Sequence, residues 1–261
     1  MTKRALCVGI NQYLDPSNEL RGCRNDAFDM AAFFQIELGI TQENVTIILD
    51  KLATKANVLS ELERLKELSM PGDYLAFSQS SHGTQQFDVS GDEIDLYDEA
   101  LCYHDTTKLG NGWNPNTITL DDEFRNYCNQ LRPNVLFEAW FDSCHSASGL
   151  KYLGMSYDKA RLMYLPQAEL HKKPVPKRMG VNLSPNSILW AACEADDTSA
   201  DTFLNGKWCG AFTNAFLTTY GPVKRSALLS RIRNKLKEGD YDQVPQLDTV
   251  NSELRAMLVG S

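Results

Sequence analysis

Residues 134–149 read NVLFEAWFDSCHSASG, and this stretch decides how the chain is built. Its first eight positions are apolar almost without interruption, the pattern of a strand covered on both faces. The run stops at Asp142, and Cys144 and His145 follow where the strand opens into a loop. Four more runs carry the same signature: RALCVGI (4–10), NVTIILD (44–50), DYLAFSQ (73–79) and SILWAAC (187–193). Between them lie segments with apolar residues at three-to-four spacing, which predict helices over 25–38, 54–68, 120–131, 209–220 and 225–239. Pro71-Gly72 stops the second of these and Gly239 ends the last. The alternation predicts an α/β fold, a mostly parallel sheet with helices on both faces. No repeat or domain-breaking linker interrupts it, so residues 1–261 are expected to form one domain. Residues 151–186 differ from their surroundings in their prolines, clustered bases and lack of period, as a functional loop does.

Composition narrows the function. The chain has 261 residues, 43% hydrophobic and 23% charged, enough to bury a substantial core. A formal net charge of −8 argues against a nucleic-acid partner and suits a cationic partner or substrate. The N-terminal apolar run is too short for a signal peptide and no segment reaches membrane-spanning length. Seven cysteines without paired metal spacing are expected to be reduced thiols, which points to a cytoplasmic location.

In open α/β sheets ligands bind beyond the carboxyl ends of the strands. Two such ends carry chemistry here, FDSCHS and SQSSHGT. A thiol becomes a strong nucleophile beside a base or a positive charge. His145 is adjacent to Cys144, but neighbouring side chains on an extended backbone point apart. The base is therefore expected from the other strand end, where His82 stands. His104 and His171 have loop contexts and are expected to be solvated. Against the catalytic reading stand plainer ones: a cysteine as a small buried hydrophobe, and a histidine decorating the turn before Gly83.

SSHGT and FDSCHS resemble the histidine and cysteine motifs of the caspase-like cysteine peptidases, closest to the metacaspases and the prokaryotic caspase homologues. VGINQY, ELRGCRNDA, GDEIDLYDEAL, TLDDEFR, CEADDTSAD, GAFTNAF and VPQL follow in the family's order. The resemblance implies a three-layer α/β/α sandwich around a mainly parallel sheet and a Cys-His dyad of Cys144 and His82. It also implies an oxyanion hole from the backbone N–H groups of Gly83 and Cys144. Ser81 and Ala147 stand where the family usually has glycine.

Asp142, two residues before Cys144, would share the nucleophile's side of the extended segment and face substrate. The resemblance places it in the specificity pocket with Cys23, Asp26 and Ser80. Two carboxylates there would repel an aspartate side chain and attract arginine or lysine, arginine first because its planar fork engages carboxylates in pairs. A plainer role for Asp26 is a helix N-terminal residue favoured by the dipole. The expected function is a cysteine endopeptidase cutting protein or peptide substrates after exposed arginine or lysine, with no membrane or nucleic-acid partner. A catalytically silent binding module is the rival, and a zinc or redox site on Cys144 and His145 a third reading without a second ligand cluster. Arg161, Lys172, Lys173, Lys177 and Arg178 suit an acidic pocket and make residues 151–186 a cleavage candidate, with a solvated basic loop as the alternative. No cofactor is required for the chemistry. Calcium binding, which the resemblance assigns to Asp98, Asp121 and Asp122, stays open because Lys151 stands where a further carboxylate is expected.

Overall fold

The computed structural model describes residues 1–87, 97–144, 159–163, 183–194 and 199–261. His145, Ala147, Lys151, His171, Lys172, Lys173, Lys177 and Arg178 lie outside the described residues. The strands are β1 (Lys3–Gly9), β2 (Val45–Leu49), β3 (Tyr74–Ser80), β4 (Gly83–Phe87), β5 (Tyr97–Cys102), β6 (Lys108–Leu109), β7 (Gly112–Trp113), β8 (Ile118–Leu120), β9 (Leu136–Asp142), β10 (Lys159–Ala160), β11 (Ser187–Ala191), β12 (Ala200–Leu204), β13 (Lys207–Gly210) and β14 (Gln246–Asp248). The helices are α1 (Cys23–Ile36), α2 (Lys55–Leu68), α3 (Asp121–Asn129), α4 (Ala211–Thr219), α5 (Arg225–Glu238) and α6 (Ser252–Ala256).

The main sheet has the order β14-β11-β9-β3-β1-β2. Five of these strands are the apolar runs read from the sequence, and all five pair in parallel. The sixth, β14, joins antiparallel at the edge. Three smaller sheets, β4-β5-β8, β10-β12-β13 and β6-β7, are antiparallel; they were not legible as strands because they are short and lack a sustained run.

Strand geometry explains the three layers. Successive side chains point to opposite faces, so Leu6, Val8, Leu75, Phe77, Phe137 and Phe141 enter one core with α2 and α3 residues such as Val58, Leu62 and Phe124. Ala5, Cys7, Tyr74, Ala76 and Trp140 enter the other, against Phe34, Phe216 and Ile232 of α1, α4 and α5. Each fully buried large side chain contributes about 1.5–3 kcal/mol relative to exposure. Thr54 caps α2, its side chain accepting the Asn57 N–H at 3.3 Å.

The chain leaves β1 for β2 on one side of it and returns to β3 on the other. That reversal makes the carboxyl ends of β1 and β3 a topological switch point, where open α/β sheets place ligands. Ser80, the last residue of β3, sits in register with Asp142, the last of β9. The histidine and cysteine motifs thus leave adjacent strands at the same level.

Candidate active site

His82 and Cys144 are both buried two residues past those strand ends. Their backbones converge on a single atom. The carbonyl oxygen of Arg161 accepts the Gly83 N–H at 3.0 Å and the Cys144 N–H at 3.1 Å. These are the two donors expected for an oxyanion hole, and a peptide carbonyl already lies between them.

The imidazole is held from two directions. Its Nε2 is 2.7 Å from the Asn18 carbonyl, which makes Nε2 the protonated nitrogen, and its backbone N–H donates to the Tyr13 hydroxyl at 2.8 Å. Nδ1 has no hydrogen-bond partner among the described residues. Burial pushes the pKa of His82 down to about 3, so the ring is neutral near pH 7 with Nδ1 as its basic nitrogen. The Cys144 thiol donates to the Ser199 carbonyl at 3.2 Å and Sγ also meets the Ser199 N–H.

The acidic pocket is filled. Arg161 has no exposed surface, and its guanidinium lies 2.7 Å from Asp26, 2.9 Å from Asp201 and 3.2 Å from Asp142. It also donates to the Ser80 hydroxyl at 2.5 Å, which in turn donates to Asp26 at 2.6 Å. The alternative of a solvated basic loop does not hold at Arg161, which lies in the interior among three carboxylates. Burial opposes its charge, yet Asp142, Asp26 and Asp201 hold its pKa well above the usual arginine value. Asp26 behaves differently. Burial raises its carboxyl to about 6, with Asp142 adding to the shift while Arg161, Ser80 and the Gly210 N–H oppose it.

Neighbours orient these carboxylates. Asp142 accepts from the Thr213 N–H and hydroxyl at 2.9 and 2.7 Å and from the Ser199 hydroxyl at 2.5 Å. Asp26 accepts the Gly210 N–H at 2.9 and 3.1 Å, and Asp201 the N–H groups of Arg21 and Gly22 at 2.8 and 2.9 Å. A Cβ on Gly210 would meet the Asp142 carboxylate and Arg161 Nη1, so only glycine leaves room for the guanidinium. Cys23 opens α1 against this wall, and burial pushes its thiol far up. Ser81 faces away from the pocket: its hydroxyl accepts from Gln79 and donates to the His82 carbonyl.

Sequence reasoning missed Asp201, Ser199, Gly210, Tyr13, Asn18 and Thr213. Asp201 and Gly210 stand in segments that matched the family, CEADDTSAD and GAFTNAF, and carboxylates in such segments were the available signal. Asn18 acts through its main-chain carbonyl, for which side-chain identity carries no signal.

The segment around Arg161 runs as an added strand. Lys159 and Ala160 pair antiparallel with Asp201 and Ala200, and the Arg161 N–H donates to the Ser199 carbonyl at 3.0 Å. Beyond Arg161, the Met163 N–H donates to the Gly83 carbonyl at 2.9 Å and the Met163 carbonyl accepts from the Thr84 hydroxyl at 2.7 Å. This is the hydrogen-bonding mode of an extended peptide laid on a sheet edge.

The carboxylates expected for calcium are arranged otherwise. Asp121 and Asp122 open α3 and share Arg125, at 3.3 and 2.6 Å, while Asp98 is buried on β5. Among the described residues no group of three or more His, Cys, Asp or Glu side chains is placed to hold a metal ion. His104, read as solvated, is half-buried with Nδ1 2.7 Å from the Gln12 carbonyl. All seven cysteines are free and buried. No helix among the described residues is long and apolar enough to cross a membrane.

Comparison with known proteins agrees with this architecture. The fold is similar to that of protein GSU0716 from Geobacter sulfurreducens, at a TM-score of 0.72 and 24% identity over 100% of this chain and 99% of that one. It is also similar to caspase-1 from Spodoptera frugiperda, at a TM-score of 0.61 and 14% identity over 99% and 89%. Metacaspase-1 of Cryptococcus neoformans var. neoformans serotype D (strain JEC21) is 32% identical over 94% of this chain and 62% of its own length. Metacaspase-1 of Emericella nidulans is 30% identical over 95% and 70%. The chain therefore spans about three fifths of the length of the first of these relatives. Residues 3–153 match the model of the metacaspase, peptidase C14 domain, and with these relatives that match shows that the chain belongs to the metacaspase family of peptidases.

Proposed function

We propose that this chain is a cysteine endopeptidase that cuts after arginine, and after lysine less well, and that its own Arg161–Leu162 bond is its first substrate. The observation that carries this reading is Arg161, whose guanidinium contacts three carboxylates while its carbonyl rests on the Gly83 and Cys144 N–H groups. Cys144 Sγ attacks that carbonyl carbon as its proton passes to His82 Nδ1, and the oxyanion gathers on the two N–H donors. The C–N bond to Leu162 then breaks, the imidazolium gives its proton to the leaving amine, and Arg161 remains as a thioester on Cys144. A water deprotonated by His82 releases the Arg161 carboxylate and restores the thiol. Asp142 and Asp26 hold the guanidinium and take no part in proton transfer. Protein substrates with exposed arginine or lysine would follow the same path once the segment leaves.

N-terminal sequencing and mass spectrometry of purified protein test the self-cleavage, and arginine-ending fluorogenic peptides test the activity in trans. A fragment beginning at Leu162 in the wild type and missing in Cys144→Ala is the expected result. A wild type that leaves both its own chain and arginine peptides intact would favour the silent binding module. A preference for aspartate over arginine would overturn the acidic-pocket reading.

A further inference from the structure

The pocket reads one side chain of the bound segment, but a second cation is also held. Lys159 and Arg161 are two residues apart on an extended backbone, so their side chains leave on the same side. Lys159 Nζ donates to the Ser17 carbonyl at 3.0 Å and to the Glu19 carbonyl at 2.6 Å. Both carbonyls belong to the turn that follows β1. Pro16 at the first helical position fixes its backbone, and the Asp15 carboxylate accepts the Ser17 N–H at 2.9 Å. The turn is anchored at both ends, by Leu14 N–H on the His104 carbonyl and Leu20 N–H on the Asn11 carbonyl. Between the two carbonyls on the lysine lies that of Asn18, which takes His82 Nε2.

We propose that this turn is a second cation-reading subsite of the peptidase, taking the ammonium or guanidinium of the residue two before the cleaved arginine on the carbonyls of Ser17 and Glu19. The inference rests on the peptidase reading above and extends it to a Lys/Arg-x-Arg preference. Two converging carbonyls accept hydrogen bonds from a cation, give an aliphatic side chain nothing and repel a carboxylate. The intervening residue, Ala160, is buried, which favours a small side chain there. Because the same turn holds the catalytic imidazole through Asn18, an empty subsite lowers kcat as well as raising KM. The subsite is partly open to water, with Lys159 half-buried and Ser17 and Glu19 exposed. The expected discrimination is therefore several-fold and smaller than that of the arginine pocket.

The test compares acetylated Lys-Ala-Arg, Arg-Ala-Arg, norleucine-Ala-Arg and Glu-Ala-Arg aminocoumarin peptides on the purified enzyme, with kcat and KM resolved. Norleucine should lower kcat/KM by roughly fivefold and glutamate by roughly tenfold or more, part of each loss in kcat. In the intact chain Lys159→Met should slow the Arg161–Leu162 cut several-fold without moving it. Equal kcat/KM for the lysine and norleucine peptides, with both still cut after arginine, would overturn the subsite and leave the peptidase reading standing. Failure to cut any of the four would overturn the peptidase reading and the subsite with it.

Discussion

Among the described residues two arginines have no exposed surface, Arg161 and Arg225, and their partners differ in charge balance. Arg225 meets one carboxylate, Glu138, through Nε and Nη2 at 2.8 Å each. Glu138 is completed by the Trp190 indole at 2.8 Å, the Tyr74 hydroxyl at 2.9 Å and the Gly260 N–H at 3.3 Å. One charge faces one charge and the donors close around it, which ties α5 and the C-terminal residues to β9. Arg161 instead meets Asp26, Asp142 and Asp201, three carboxylates to one guanidinium. Such a site holds more negative charge than its occupant cancels and would attract the next cation once the first had gone. A buried pair loses much of its stabilising value when one partner is removed, whereas the surplus negative charge around Arg161 is what the proposed binding of a substrate arginine would require.

The contrast is first sharpened at the proposed nucleophile, where the effect should be largest. Cys144→Ala and His82→Ala should each lower turnover of arginine peptides by about a thousandfold or more, while leaving the melting temperature close to wild type. His145→Ala should retain a substantial fraction of activity. A His145→Ala enzyme as inactive as His82→Ala would break the argument that chose between the two histidines.

Isosteric changes at the two arginine sites come next. Glu138→Gln leaves Arg225 charged and uncompensated and should cost about 3–5 kcal/mol, a drop on the order of 10 °C in melting temperature. Asp26→Asn and Asp142→Asn should instead lower kcat/KM on arginine peptides by about a hundredfold, with melting temperatures within a few degrees of wild type. Thermal melts and peptide kinetics on the same samples would decide it. Pocket variants that unfold like Glu138→Gln would mean that both sites are structural.

A pH profile reads the same difference more gently. Burial raises the Asp26 carboxyl from 3.8 to about 6, so it gains a proton as pH falls through about 6 and its hold on a guanidinium weakens. Activity on arginine peptides should fall there, mainly through KM, and Asp26→Asn should lack that limb. Because the folded pKa lies above the unfolded one, the stability this group contributes is fully present below about 4 and lost as pH rises through about 6. Its charge is thus a cost to the fold at neutral pH. His82 has the opposite sign: its pKa is lowered from 6.5 to about 3, so its contribution is present above about 6.5 and lost as pH falls toward 3. An acid limb that persists in Asp26→Asn would assign it elsewhere.

The smallest effect is expected from calcium. Asp121 and Asp122 share Arg125, and a lysine stands at 151. Activity in chelator and in millimolar calcium should differ by less than about tenfold for the wild type, and Lys151→Asp should increase the dependence. Strict calcium dependence of the wild type would overturn this expectation.

Apolar runs and helical periods were enough to read the five parallel strands and five of the helices, because burial on both faces leaves a continuous apolar signature along the chain. His82, Gly83 and Cys144 could be singled out because glycine, thiol and imidazole at strand ends make a poor core. The antiparallel pieces β10, β12 and β14 were not readable, since none of them carries a sustained apolar run. Nor did a row of basic residues between 151 and 186 tell which of them would leave solvent. Only the fold selects Arg161, because strand addition beside Ala200 and Asp201 sets the register that lays its carbonyl on Gly83 and Cys144 and its side chain among three aspartates. What this sequence determined by itself is its layers and the chemical types at the strand ends, which follow from local pattern. What tertiary structure alone decided is the charge balance around each buried arginine, because Asp26, Asp142 and Asp201 are brought together from distant parts of the chain.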